Sequence, residues 1–155
     1  MRFSISADER TGIAELLEGE LRARGHEVVV HGALNERERP DWAFASERVA
    51  RDVAEGRADQ GIVCCWTGTG ASIAANKVPG IRAALCWDAE TARGARKWND
   101  ANVLALSLRT TSEATLREIL DAWLATAPSD DPTDRENIDH LQAIERHGRT
   151  PDAAI

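Results

Sequence analysis

The segment GIVCCWTGTGASIAANK, residues 61–77, passes from a short apolar run through closely spaced glycines into an alanine-rich tract. Residues 62–65 read as a buried strand, Thr67-Gly68-Thr69-Gly70 as a tight turn, and the remainder as a helix. Glycine in such a turn lets backbone N–H groups come close to a ligand, and the helix N-terminus that follows adds partial positive charge. Cys65 ends the strand and points into the turn. The pattern suits the holding of an anionic group, or of a transition state, beside a base. A strand-to-helix connection in which glycine merely permits the bend satisfies the same local pattern.

Toward the N-terminus, residues 2–7 (RFSISA) predict a first strand, with Phe3 and Ile5 on one face, running into Asp8 and Glu9. Ile13, Leu16, Leu17 and Leu21 recur at helical spacing up to Gly25. Val28, Val29 and Val30 form a continuous apolar run, as expected of a strand covered on both faces. A charged loop then leads to a second helix through Trp42, Ala45, Val49 and Val53. Toward the C-terminus, Val78-Pro79-Gly80 is a turn and residues 81–86 predict a fourth strand. Asp88 is an N-cap for a helix reaching Lys97, and residues 103–106 predict a fifth strand. Thr110 and Glu113 have capping-box spacing ahead of Leu116, Ile119, Leu120 and Trp123.

Strand and helix thus alternate five times. This predicts one α/β domain over residues 1–126, Rossmann-like and doubly wound, with a five-stranded parallel sheet flanked by helices. Ligands of such sheets sit beyond the carboxyl ends of the strands. The loops after the first, third and fifth strands, carrying Asp8 and Glu9, Cys65 to Gly70, and Arg109, should therefore share one crevice. Asn99, before the fifth strand, needs a longer reach or a second chain. Residues 127–134 (APSDDPTD) read as a linker, followed by a helix with Ile138, Leu141 and Ile144 on one side and a frayed tail over 148–155. An apolar stripe held off behind a linker predicts that residues 127–155 meet a partner subunit, and the chain is expected to be a homodimer.

Composition narrows the function. At 155 residues, 43% hydrophobic and 29% charged, the chain is of ordinary globular size and type. A net charge of −7 without any cluster of Lys and Arg argues against a nucleic-acid partner, while leaving room for a small anionic ligand. No run approaches the roughly 18 apolar residues of a membrane span. The N-terminus (MRFSISADER) has no signal-peptide core, which predicts a cytoplasmic address and no membrane partner. Cys64, Cys65 and Cys86 read as free thiols, and neither they nor His26, His31, His140 and His147 have metal-ligand spacing. Gly68-Thr69-Gly70 half-matches the dinucleotide fingerprint, but Ile73 holds the third glycine position and the motif follows the third strand instead of the first. Lys77 comes too late for a phosphate-binding P-loop, and no Gly-x-Ser-x-Gly elbow is present.

Cys65-x-Thr67-Gly68-x-Gly70, continued by SIAANKVPGIRA over residues 72–83, resembles the type B ribose-5-phosphate isomerases and the related galactose-6-phosphate isomerases. Asn99-Asp100-Ala101-Asn102-Val103-Leu104-Ala105 extends the match, as do Asp8 with Gly12 and Arg109, so that the resemblance covers roughly residues 1–125. It implies a Rossmann-like dimer, able to pair further into a tetramer, with sites between subunits and no metal or other cofactor. The implied reaction interconverts an aldose and a ketose through an enediolate. A base must take a proton from the carbon beside the carbonyl, and donors must hold the oxyanion. By position Cys65 is the proton-abstracting residue; where some members use a glutamate just after the glycine loop, this chain has Ala71. Backbone N–H groups around Gly68 and Gly70, with Thr67 assisting, hold the enediolate, and Asp8 and Asn99 bind substrate hydroxyls.

The chain also departs from that pattern. Glu9 stands where the family has a phosphate-binding histidine, and Trp98 where it has the histidine that helps open the sugar ring. Trp66 replaces a glycine in the loop, and the family's pair of phosphate-binding arginines falls on Thr133 and Asn137, leaving Arg109 and Arg135 as cations. Each charge-assisted bond lost to the phosphate is worth about 1.5–3 kcal/mol. The expected substrate is therefore a free sugar, a differently substituted one, or a phosphate held in another way. Trp66 and Trp98 would stack on it and Glu9 would take over a proton-transfer or hydroxyl-binding task; both indoles filling core space is the plainer alternative. A catalytically silent sugar-binding or regulatory relative is the second reading of the whole chain.

Overall fold

Side chains alternate across a strand, and that alternation sorts this chain's apolar residues to two faces of one sheet. In the computed structural model, which describes residues 1–147, the strands are β1 (Arg2–Ala7), β2 (Glu27–Gly32), β3 (Gln60–Cys65), β4 (Ala83–Leu85) and β5 (Val103–Ser107). They form a five-stranded sheet of order β2-β1-β3-β5-β4, parallel at every pairing. The helices are α1 (Ile13–Ala23), α2 (Trp42–Ala54), α3 (Thr69–Ala75), α4 (Ala89–Asn99), α5 (Glu113–Ala125) and α6 (Pro132–His147). The predicted Rossmann-like doubly wound sheet is the one observed.

On one face Phe3, Ile5, Ile62, Cys64, Leu104 and Leu106 meet Leu17 and Leu21 of α1 and Leu116, Leu120 and Trp123 of α5. On the other, Val63, Cys65, Val103 and Ala105 meet Val49 and Ala50 of α2 and Ala71 and Ala75 of α3. Each large aliphatic side chain so buried contributes about 1.5–3 kcal/mol. Neighbouring Cys64 and Cys65 therefore belong to opposite layers. The winding reverses at β1, with β2 on one side and β3 on the other, so a crevice opens beyond the carboxyl ends of β1 and β3.

Four local expectations are corrected. β2 is an edge strand, not one covered on both faces: Val29 is 44% exposed, because a triple valine fits an edge as well as an interior position. β4 keeps three of the six predicted residues, since side chains take backbone groups around it: Asn102 Oδ1 accepts from Arg82 N at 2.8 Å and Asn76 Oδ1 from Ala83 N at 2.8 Å. Helix α5 is capped by Ser112, whose side chain accepts from Thr115 N, and not by Thr110; the Thr110 N–H instead donates to Ser107 Oγ at 3.2 Å. Helix α6 begins at Pro132, inside the stretch read as linker, because proline suits a first helical turn. The Asp88 cap is present, accepting from Thr91 N at 2.7 Å. The tail expected at residues 148–155 lies outside the described residues.

Candidate active site

The segment after β3 is stitched to the end of β5. The Trp66 carbonyl accepts from Ser107 Oγ at 2.9 Å and from Arg109 N at 2.9 Å, while the Cys65 carbonyl accepts from Leu108 N at 3.0 Å. The chain then turns at Gly68, with φ 76°, where a side chain would be strained and its Cβ would stand 2.6 Å from Leu85 Cδ1. Gly70 is needed for a different reason. Its φ is not positive, but an added Cβ would lie 3.0 Å from Cε3 of the Trp42 indole. The turn expected over residues 67–70 is thus shorter, since α3 already starts at Thr69.

Cys65 is 5% exposed, and its sulfur accepts the Ala71 N–H at 3.4 Å. The Thr67 and Thr69 hydroxyls are 2.8 Å apart. A cavity of about 320 Å³ is lined by Asp8, Trp42, Cys65, Trp66, Thr67, Thr69 and Gly70. Burial raises the Asp8 carboxyl above the usual carboxylate range, and the neighbouring Glu9 charge adds to this; backbone N–H groups of Asp8, Glu9 and Trp66 oppose it. Its Oδ1 is buried with no hydrogen-bond partner among the described residues. The other thiols stay protonated: burial pushes Cys64 far up, and burial with Asp88 nearby pushes Cys86 up to about 12.

Of the residues singled out from the sequence, Asp8, Cys65, Trp66, Thr67 and Gly70 meet at this cavity. The Gly68 N–H does not face a ligand; it donates to the Cys65 carbonyl at 3.2 Å. Glu9 and Arg109 are exposed beside the cavity without lining it. Trp98 and Asn99 do not share the crevice within one chain. A helix following a parallel strand runs back along the sheet, so the last turn of α4 ends near the amino end of β5, opposite Cys65. There Asn99 lines a separate cavity of about 550 Å³ with Leu85, Trp87, Leu141 and Ile144. The Trp98 ring covers Gly94, and Lys97 Nζ lies 5.8 Å from its centre. Arg135 pairs with Asp130 and lines a third cavity with Asp100 and Asp139. Trp42, expected from the sequence only as part of the apolar stripe of the second helix, also lines the cavity. Its spacing with Ala45 and Val49 marks it as core, and only the fold brings the start of α2 over the start of α3.

The sequence model of the family described as Ribose/Galactose Isomerase matches residues 4–141. The chain belongs to the ribose/galactose isomerase family. It is 40% identical over 123 residues to ribose-5-phosphate isomerase B of Escherichia coli K12, covering 79% of this chain and 81% of that protein. It is also 40% identical over 125 residues to the galactose-6-phosphate isomerase subunit LacB of Clostridium acetobutylicum, covering 81% and 70%. The solved ribose-5-phosphate isomerase B of Clostridium thermocellum superposes with a TM-score of 0.87 at 35% identity, covering 96% of this chain and all (100%) of that one. The matched residues include the Cys65 loop, α3 and β5. Among the described residues no helix is long and apolar enough to cross a membrane.

Proposed function

We propose that this chain is an aldose–ketose isomerase that moves a proton between adjacent carbons of a sugar or sugar phosphate through an enediolate. One observation carries the reading: Cys65, its sulfur held by the Ala71 N–H, lines a cavity together with Asp8 and the paired threonines Thr67 and Thr69. As thiolate, Cys65 takes the proton from the carbon beside the carbonyl. The electron pair moves to the carbonyl oxygen, giving the enediolate, and the proton returns to the neighbouring carbon. The N–H groups of Thr69 and Gly70, in the first turn of α3, have no acceptor among the described residues and serve as donors to the oxyanion. Thr67 assists them. Asp8 accepts a hydrogen bond from a substrate hydroxyl, and Trp66 offers an aromatic face.

Trp98, Asn99 and Arg135 enter the site from a second copy in a homodimer, which explains why one chain leaves them at the other end of the sheet. Arg109 is the cation nearest the loop, placed by its backbone bond to Trp66. With Glu9 close by, the site favours a substrate other than ribose 5-phosphate. The test is turnover of ribose 5-phosphate alongside a panel of free pentoses and hexoses, with Cys65→Ala beside the native protein. Activity on one sugar that falls about 10²–10⁴-fold in Cys65→Ala supports the reading. Full ribose-5-phosphate turnover would overturn the altered substrate, and silence on the whole panel would favour a sugar-binding protein.

A further inference from the structure

A tryptophan that serves only the core of this fold looks like Trp123: 1% exposed, with its indole N–H donated to Gln60 Oε1 at 2.7 Å. Trp42 is different. It is 44% exposed, although Ala45 and Val49 on the same stripe of α2 are fully covered. Its ring lies against Gly70 at the start of α3, where an added Cβ would come within 3.0 Å of Cε3 and 3.1 Å of Cδ2. The chain before it is fixed. Arg39 donates to Asp41 Oδ2 at 2.6 Å and sets its guanidinium 3.9 Å from the centre of the Phe44 ring. Glu38 meanwhile accepts the Gly32 N–H at 3.2 Å. The indole, against Gly70, forms a wall of the cavity that Cys65 also lines.

The chemistry of that cavity says what the wall is for. Asp8 is its one charged lining side chain, and no lysine, arginine or histidine lines it. An anionic end of a substrate therefore lies away from this wall, toward the cations proposed above, Arg109 and Arg135. An indole face carries negative quadrupole density and meets the polarised C–H bonds of a sugar, while hydroxyls on the opposite side remain free for Asp8 and the threonines. We infer that Trp42 is a specificity-determining residue: the C–H face of the substrate's neutral carbon chain stacks on its indole beside Cys65, and sugars are selected by whether they offer such a face. The inference rests on the isomerase reading of this cavity and adds to it a residue and the part of the substrate that the residue reads.

The experiment compares the native protein with Trp42→Ala and Trp42→Phe across the sugar panel. The expected result is a rise in KM of about tenfold in Trp42→Ala with kcat nearly kept, a partial recovery in Trp42→Phe, and a flatter preference between sugars. A merely structural indole would instead lower thermal stability and kcat while leaving the ranking of sugars as it was. KM values within about twofold of the native protein in both variants would overturn the inference. Should the native protein turn over no sugar, the isomerase reading fails separately. Trp42 is then judged by binding, as sugar-dependent quenching of indole fluorescence in Cys65→Ser. Quenching that falls clearly in Cys65→Ser with Trp42→Phe, leaving only the share of Trp66, supports the stacking wall; quenching undiminished there, or no quenching by any sugar, overturns it.

Discussion

Asp8 carries two burdens at once: its Oδ1 is buried without a partner among the described residues, and burial, helped by Glu9, raises its carboxyl above the ordinary value. A carboxyl raised by folding contributes fully to stability below its unfolded value, and that contribution is lost as pH rises through the folded one. Asp8→Asn should therefore melt higher than the native protein at neutral pH, with the gap closing toward acid, as thermal scans across pH would show. The same variant should lose about ten- to a hundredfold in kcat/KM on the best sugar, the worth of a charge-assisted bond to a hydroxyl. Stability and function pull in opposite directions at this residue. Cys65, Thr67 and Gly70 were legible as neighbours because they lie close together in the chain, and a strand, a turn and a helix start leave a pattern within a few residues. Trp42 was not, because an indole spaced with Ala45 and Val49 looks the same in sequence whether it faces the core or a cavity.

At the level of elements, the connection from β2 to α2 is tied down by a polar network under the sheet. His31 bridges Asp52, 2.8 Å from Nε2, and Glu38, 3.1 Å from Nδ1. Asp52 also accepts from Ser4 Oγ at 2.8 Å and Arg57 Nε at 2.8 Å. Burial works to raise the Asp52 carboxyl, but hydrogen bonds from His31, Arg57 and Ser4 outweigh it and hold the group below the ordinary value of 3.8. A carboxyl depressed in this way stabilises the fold above its unfolded value and loses that contribution as pH falls through the folded one. The melting temperature should therefore drop in acid below about pH 4, and Asp52→Asn should flatten that drop. An unchanged acid profile in Asp52→Asn would remove the network from the account. None of this was visible in the sequence, where Ser4, His31, Glu38 and Asp52 are far apart. Element order, by contrast, was almost wholly legible, since each strand and helix announces itself locally. What failed was position within the sheet: valines at 28–30 look alike on an edge and in the interior, and the shortness of β4 is set by Asn76 and Asn102, polar residues outside the apolar run.

For the whole molecule, the separation of Cys65 from Trp98 and Asn99 along the sheet makes a definite claim about assembly. Chains carrying Cys65→Ala and chains carrying Asn99→Ala should each be nearly inactive alone, yet recover substantial turnover when co-expressed, because a mixed dimer holds one site with both native residues. Light scattering on the mixture would show whether dimers are present, and failure to recover activity in mixed dimers would mean that each chain works by itself. A small feature of β4 limits what can be added to the sheet at that edge. The Asn76 side chain donates to the Ala83 carbonyl at 2.9 Å and accepts the Ala83 N–H at 2.8 Å, and so stands as a single-residue stand-in for the next strand. That margin of the sheet is already sealed from within. A second copy could not extend the sheet across Ala83 of β4, so of the two margins β2 alone is left open to strand addition among the described residues.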